Sequence, residues 1–219
     1  MKNIPALDPK VLGLVTEISK EPKVEAAIAF IKDQTEVAML EQIELCEIEA
    51  PTFHEEKRAA SVAERMRQYG LTDVHIDEIG NVIGIRKGSG NGPVLAIGAH
   101  MDSVFPAGTD VKVKKEGNIY RAPGIGDNCS GLRALLQVLR ALEKEDIRTV
   151  GDIWFVGTVG EEGNGDIRGS KHLCANNKLD GFVATDSTDV GRVLYGAVGS
   201  HRWRLAVDGT GGHSFADFG

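Results

Sequence analysis

The sequence predicts an α/β domain, a sheet with helices on its faces. Three observations carry that prediction. Short apolar runs rich in Val, Ile and Phe alternate with longer stretches whose apolar residues recur at helical spacing. Glycine-rich turns such as Gly88-Ser-Gly-Asn-Gly92 punctuate the alternation. The chain has 219 residues, 42% hydrophobic and 26% charged, the balance of a globular protein large enough to bury a core.

Taken in order, Val24 to Ile48 reads as one long helix ended by Pro51. Ala27, Phe30 and Ile31 share a face, as do Val37, Leu40 and Ile43. "APTFHEEKRAASVAERMRQYG" reads as a turn and a second helix, closed by Gly70. Val74–Ile76, Asn81–Ile85 and Val94–Ile97 are short strands. Val111 to Tyr120 alternates like a hairpin around Glu116-Gly-Asn118. Leu132, Leu135, Leu136, Leu139 and Leu142 fall at helical spacing, so Ser130 to Glu143 is an amphipathic helix. Ile153–Val159 is a buried strand, Phe182–Thr185 is another strand, and Arg168–Asn176 is helical. The composition shifts near residue 196, after which His201, Trp203, Leu205 and Val207 would share one face of a final strand.

The net charge is −7 and no basic stripe is present, which argues against a nucleic-acid partner. No apolar run approaches the ~20 residues of a membrane helix, and the N-terminal "MKNIPALDPK" lacks the apolar segment of a secretory signal. Cys46, Cys129 and Cys174 form no CxxC pair, which suits free thiols in a reducing compartment. The expected location is the cytoplasm, away from membranes.

The chemistry-bearing residues gather at strand exits. "GAHMDSV" follows the strand at Val94, and an i, i+2 spacing puts His100 and Asp102 on the same side. Asp127 lies in "GIGDNCSG", at the mouth of the Leu-rich helix. Glu161 and Glu162 follow "DIWFVGTVG", and Asp186 follows "GFVAT". Sites in open α/β sheets form outside the carboxyl ends of the strands, so these side chains could converge. Each also has a plainer role: Asp127 as a helix N-cap, Glu161-Glu162 as a solvated pair, Asp186 in the turn "DSTD". One His with several carboxylates and no cysteine suits Zn²⁺ or a similar divalent ion in a catalytic role. Of two adjacent Glu residues, one can hold a metal while the other serves as a base. His54, His75, His172 and His201 read as surface or structural residues, Cys129 as a small packed one, and Trp203 as a sheet or interface residue.

The ordered motifs "GAHMDSV", "GIGDNCSG", "GTVGEEG", "ATDS" and "GTGGHS" resemble those of the co-catalytic zinc metallopeptidase/aminoacylase family, which takes in peptidase T, carboxypeptidase G, aminoacylase and succinyl-diaminopimelate desuccinylase. "EAPTFHEEKRA" and "DEIGNVIG" resemble its N-terminal part. The resemblance implies a mixed, mostly parallel sheet flanked by helices in a catalytic domain over residues 1–198. It also implies the beginning of an α+β lid and dimerisation domain over 199–219. It implies two Zn²⁺ ions, with Co²⁺ or Mn²⁺ as possible substitutes. His100 and Asp186 would hold one ion, Glu162 the other, and Asp127 would bridge them. Asp102 would orient His100, Glu161 would be the general base, and His213 would stabilise the oxyanion. A cis Asp127–Asn128 peptide bond is also implied. The substrate would be a small peptide or N-acyl amino acid, with aminopeptidase or dipeptidase action favoured and a homodimer formed through the lid. The family's last ligand, a downstream His, lies past Gly219, so residues 1–219 alone are expected to be inactive. The reading from another class is a truncated relative serving as a non-catalytic metal-binding or interaction module.

Overall fold

A computed structural model describes residues 8–186, 191–196, 199–213 and 215–216. The elements run α1 (Pro9–Ile18), α2 (Pro22–Asp33), α3 (Thr35–Cys46), α4 (Glu56–Gln68), β1 (Asp73–Ile76), β2 (Val82–Arg86), β3 (Leu95–His100), β4 (Lys114–Glu116), β5 (Ile119–Arg121), α5 (Cys129–Lys144), β6 (Ile153–Thr158), α6 (Arg168–Asn176) and β7 (Gly181–Ala184). The main sheet has the order β1-β2-β6-β3-β7. β3 pairs in parallel with both β6 and β7, whereas β2 is antiparallel to β1 and β6. Four of the five strands therefore run the same way, with β2 reversed. The hairpin β4–β5 stands apart as a two-stranded ribbon.

Alternation along the strands sorts the core into two layers. Val82, Ala99, Ile153 and Phe155 pack with Leu45, Val62, Met66, Leu132, Leu135, Leu136 and Leu139 from α3, α4 and α5. Ile83, Ala96 and Val156 on the other face pack with Leu173 of α6. Leu132, Leu135, Leu136 and Leu139 of α5 are completely buried, each contributing about 1.5–3 kcal/mol by removal from water. The amphipathic reading of this helix holds, and its N-terminus is thereby fixed against the sheet.

The single helix expected over Val24–Ile48 is two helices, broken at Gln34. The Thr35 hydroxyl donates to the Lys32 carbonyl at 2.7 Å, a local bond that competes with helix propagation. The buried face of α3 also differs from expectation. Ala38, Glu41, Gln42, Leu45 and Cys46 turn inward, while Val37 and Leu40 are exposed. The inward Glu41 is satisfied by the Tyr69 hydroxyl at 2.5 Å and the Gln137 amide at 3.2 Å, so the polar residues can take the core side. α1 was not anticipated; Asp8 caps it by accepting from Lys10 N at 2.9 Å, with Pro9 in the first turn.

The chain divides into two compact units, Met1–Thr188 and Asp189–Gly219. In the second, the strand expected over His201–Val207 is not formed: residues 199–213 have no regular structure and Trp203 is 84% exposed. A strand needs a partner ladder, and none of the described residues offers one. Among the described residues, no helix is long and apolar enough to cross a membrane.

Arg58 of α4 is 1% exposed. Its guanidinium donates to the carbonyls of Met101 at 2.7 Å and Ile48 at 2.5 Å, tying the exit of β3 to the end of α3. Truncation would orphan the buried Met101 carbonyl and the half-buried Ile48 carbonyl. Arg58→Ala is expected to lower the unfolding free energy by about 2–4 kcal/mol, read by urea denaturation; a loss under about 0.5 kcal/mol would mean water replaces the guanidinium.

Candidate metal centre

His100 is the last residue of β3, Glu161 and Glu162 follow β6, and Asp186 follows β7. These three strands are adjacent and parallel, so their carboxyl ends deliver all four side chains to one edge. Asp127 arrives from the loop ahead of α5. It does not cap that helix. Asn128 does, its Oδ1 accepting from Gly131 N at 3.0 Å, which leaves the Asp127 carboxylate for the site. Asn128 also donates to the Thr185 carbonyl at 3.0 Å, locking the α5 loop to the end of β7. Only glycine fits at 131, where a Cβ would run into the Asn128 side chain and the Thr185 carbonyl. The Asp127–Asn128 bond is cis.

His100 is 3% exposed. Its Nε2 faces the carboxylates, 2.9 Å from Asp127 Oδ1, 3.8 Å from Asp186 Oδ2 and 4.0 Å from Glu161 Oε2. Its Nδ1 lies on the opposite side, 3.1 Å from the Asp102 carbonyl oxygen and 3.4 Å from Asp102 Oδ1. Two groups of possible ligand atoms result, each within 4.8 Å mutually: His100, Glu161 and Asp186, and His100, Asp127 and Glu162. The structure thus brings together His100, Asp127, Glu161, Glu162 and Asp186, with Asp102 behind them. His213 belongs to the second unit.

The electrostatics follow from this crowding. Burial works against a charged His100, but the Asp102 hydrogen bond and charge, with Asp186 and Glu161, outweigh it and lift the imidazolium pKa to about 9. Burial likewise opposes ionised Asp102, yet His100 and the backbone N–H groups of Glu161 and Glu162 bring it down to about 2. Burial raises the carboxyls of both Glu161 and Glu162; Asp186 reinforces this at Glu161, and Asp127 at Glu162. Four carboxylates around one imidazole are an excess of negative charge, which a divalent cation would balance. The donor set of one nitrogen and several carboxylate oxygens without sulfur fits Zn²⁺, Co²⁺ or Mn²⁺.

Several further residues support the site without any local signature in the sequence. Thr52 Oγ1 donates to Asp102 Oδ2 at 3.0 Å. Asn81 Oδ1 accepts from Val159 N at 3.1 Å. Glu55 and Arg168 meet at the turn before Glu161. A buried polar residue carries no local signature, and Glu55 and Arg58 sit in a stretch, "HEEKRAA", that looks like a solvated helix start. Cys129 and Cys46 are buried free thiols, and His172 lies 3.0 Å from Glu78.

The family model described as Peptidase family M20/M25/M40 matches residues 96–200. A putative [LysW]-lysine/[LysW]-ornithine hydrolase of Pyrococcus abyssi is 35% identical over 120 residues, covering 55% of this chain and 32% of that protein. Among solved structures, a tripeptidase from Staphylococcus aureus superposes with a TM-score of 0.58 at 31% identity, over 70% of this chain and 44% of that one. Aminopeptidase PepT from Bacillus cereus gives a TM-score of 0.59 at 24% identity, over 69% and 43%. The chain spans about a third of the length of the Pyrococcus relative. The segment matched by the family model runs from β3 through every strand exit that supplies a site residue, so the likeness to the M20/M25/M40 peptidases covers the candidate centre itself.

Proposed function

We propose that the complete protein is a dinuclear zinc hydrolase that cleaves an amide bond in a small peptide or N-acyl amino acid, most readily as an aminopeptidase or dipeptidase. The observation that carries the reading is the pair of donor groups sharing His100 at the ends of three parallel strands. The tripeptidase name of the Staphylococcus relative supports a peptide substrate. In this reading His100, Asp127, Glu162 and Asp186 hold the metal. A histidine nitrogen ligates one ion, so a second ion at Asp127 and Glu162 would take a further ligand from outside the described residues. Residues 1–198 are the catalytic part, and 199–219 begin a lid through which the protein dimerises. The free thiols Cys46, Cys129 and Cys174 suit a cytoplasmic setting.

When bound, the two ions supply Lewis acidity and a lowered pKa for water. The residues then divide the remaining work. Asp102 holds the His100 ring by its Nδ1 side and so aims Nε2. Glu161, whose proton affinity burial and neighbouring carboxylates raise, takes a proton from the attacking water and returns it to the leaving amine. His213 donates to the developing oxyanion.

The test is metal analysis and turnover of the full-length protein on di- and tripeptides and N-acyl amino acids. Two zinc ions per chain and hydrolysis abolished by a chelator are expected; hydrolysis indifferent to chelation would overturn the reading. Glu161→Gln should keep the zinc and lower kcat by about 10²–10⁴-fold. Zinc loss in that variant would instead make Glu161 a ligand, as its place beside His100 and Asp186 would allow. Asp102→Ala should weaken zinc binding or activity by about 10–100-fold, measured against a chelator of known affinity.

Metal binding should also depend on pH in a defined sense. The folded pKa of His100, about 9, lies above the unfolded value of 6.5, so its charged form stabilises the metal-free chain below pH 6.5 and that stabilisation is lost as pH rises through 9. A metal must displace this proton. Zinc affinity is therefore expected to rise by about tenfold per pH unit up to pH 9 and then level off. A plateau already reached at pH 7 would show that His100 is neutral there.

A further inference from the structure

The turn Val159–Glu162 carries both glutamates of the centre, and its backbone N–H groups are held by side chains throughout. Val159 N donates to Asn81 Oδ1 at 3.1 Å, and Gly160 N to Glu55 Oε1 at 2.9 Å. Glu161 N and Glu162 N donate to Asp102 Oδ1 and Oδ2, each at 2.9 Å. Asp102 already answers to His100. Glu55 is in neither donor group of the metal centre, and it is 3% exposed, an expensive position for a carboxylate without partners.

Its second partner is Arg168. Nη2 lies 3.2 Å from both Glu55 oxygens, and Nη1 donates to the Ile79 carbonyl at 2.8 Å. The guanidinium stacks 5.2 Å from the Phe53 ring centroid. The Arg168 backbone N–H donates to the Gly160 carbonyl at 3.1 Å. Gly160 is thus gripped at its N–H by Glu55 and at its carbonyl by Arg168. Its φ of +59° and its closeness to the Arg168 side chain admit no Cβ. Glycine is the natural pivot of this turn, and the Glu55–Arg168 pair stops the pivot.

We propose that Glu55, acting with Arg168, is a positioning residue that fixes the Gly160–Glu162 turn so that Glu161 stays with His100 and Asp186 while Glu162 stays with His100 and Asp127. The proposal rests on the reading of Glu161 as the base. Adjacent residues point in different directions only while the backbone between them is held. A rotation at Gly160 would swing both carboxylates together and blur a division of labour between base and ligand. Asp102 alone pins the far side of the turn and leaves the pivot free.

The experiment uses the full-length, zinc-loaded protein and compares Glu55→Ala, Glu55→Gln and Arg168→Met. Glu55→Ala should lower kcat by about 10²-fold with KM changed by less than about threefold, since a small misplacement of a reacting group acts on the chemical step. Glu55→Gln, which keeps an oxygen for Gly160 N, should recover at least about a tenth of wild-type kcat. Hydrogen exchange supplies a readout independent of turnover. The peptide spanning residues 158–165 should exchange faster in Glu55→Ala, with residues 153–157 of β6 unchanged. Wild-type kcat and exchange in Glu55→Ala would overturn the proposal. So would faster exchange spread evenly through β6, which marks a general loss of stability. Should Glu55→Ala fail to fold, Arg168→Met is read by the same two criteria. A wild-type protein that hydrolyses no amide would refute the proposed function, while the exchange comparison would still decide the role of Glu55.

Discussion

The centre depends on one carboxylate. Asp102 is completely buried, yet it lies at the junction of three segments that sequence separates widely. Its oxygens accept from Glu161 N, Glu162 N and Thr52 Oγ1, and its Oδ1 and carbonyl face His100 Nδ1. Burial alone would favour the neutral acid. Two backbone N–H groups and an imidazole reverse that preference, so Asp102 stays ionised across the neutral range. The same bonds that keep it charged also fix the exits of β3 and β6 relative to each other. Orientation of the imidazole and orientation of the two glutamates are consequences of one set of hydrogen bonds.

Parallel pairing explains why the acidic residues can be assembled at all. β3, β6 and β7 end side by side, and each exit loop contributes to the same edge. The arrangement concentrates like charge: both Glu161 and Glu162 are harder to ionise than a solvated glutamate, and His100 holds its proton more tightly than usual. A fold does not keep such a cluster for its own stability, because like charges at this spacing repel. The cluster makes sense as a cation site. The metal-free chain then substitutes a proton on His100 for part of the charge that a metal would bring.

How much of this could be read in the sequence depends on the range of the interaction. Strands ending in His or an acid, and the leucine periodicity of α5, are local patterns and were legible. So was the placing of His100, Glu161, Glu162 and Asp186 at strand exits, with Asp127 at the start of a helix. The choice between capping and site duty for Asp127 was open, because Asn128 one residue later is an equally good cap and only the fold shows it capping. The inward turn of Glu41 and Gln42, at the expense of Val37 and Leu40, was hidden because its reason lies in Tyr69 and Gln137. The strand expected over His201–Val207 has good alternation, but alternation supplies only one side of a ladder. Glu55, Arg58 and Arg168 were invisible for the same cause: a charged residue announces burial only through partners distant in sequence.

Those distant partners share a source. The segment from Ala50 to Arg58 contributes no candidate ligand or base, yet it touches the exit loops of both β3 and β6. Ala50 accepts from Ser103 N at 2.9 Å and Pro51 bridges Ser103. Thr52 reaches Asp102, Phe53 stacks on Arg168, Glu55 holds Gly160, and Arg58 holds the Met101 carbonyl. Phe53 adopts a φ of +76°, a conformation costly for an aromatic residue and sustained only by surroundings that over-determine it. The neighbouring bonds supply that surrounding: the turn is fixed on one side by the β3 exit and on the other by the β6 exit. A chain that must hold several like charges within a few ångströms of one another cannot rely on those charges to hold themselves. The restraint has to come from outside the cluster, and here it comes from one stretch of backbone whose side chains reach both loops at once.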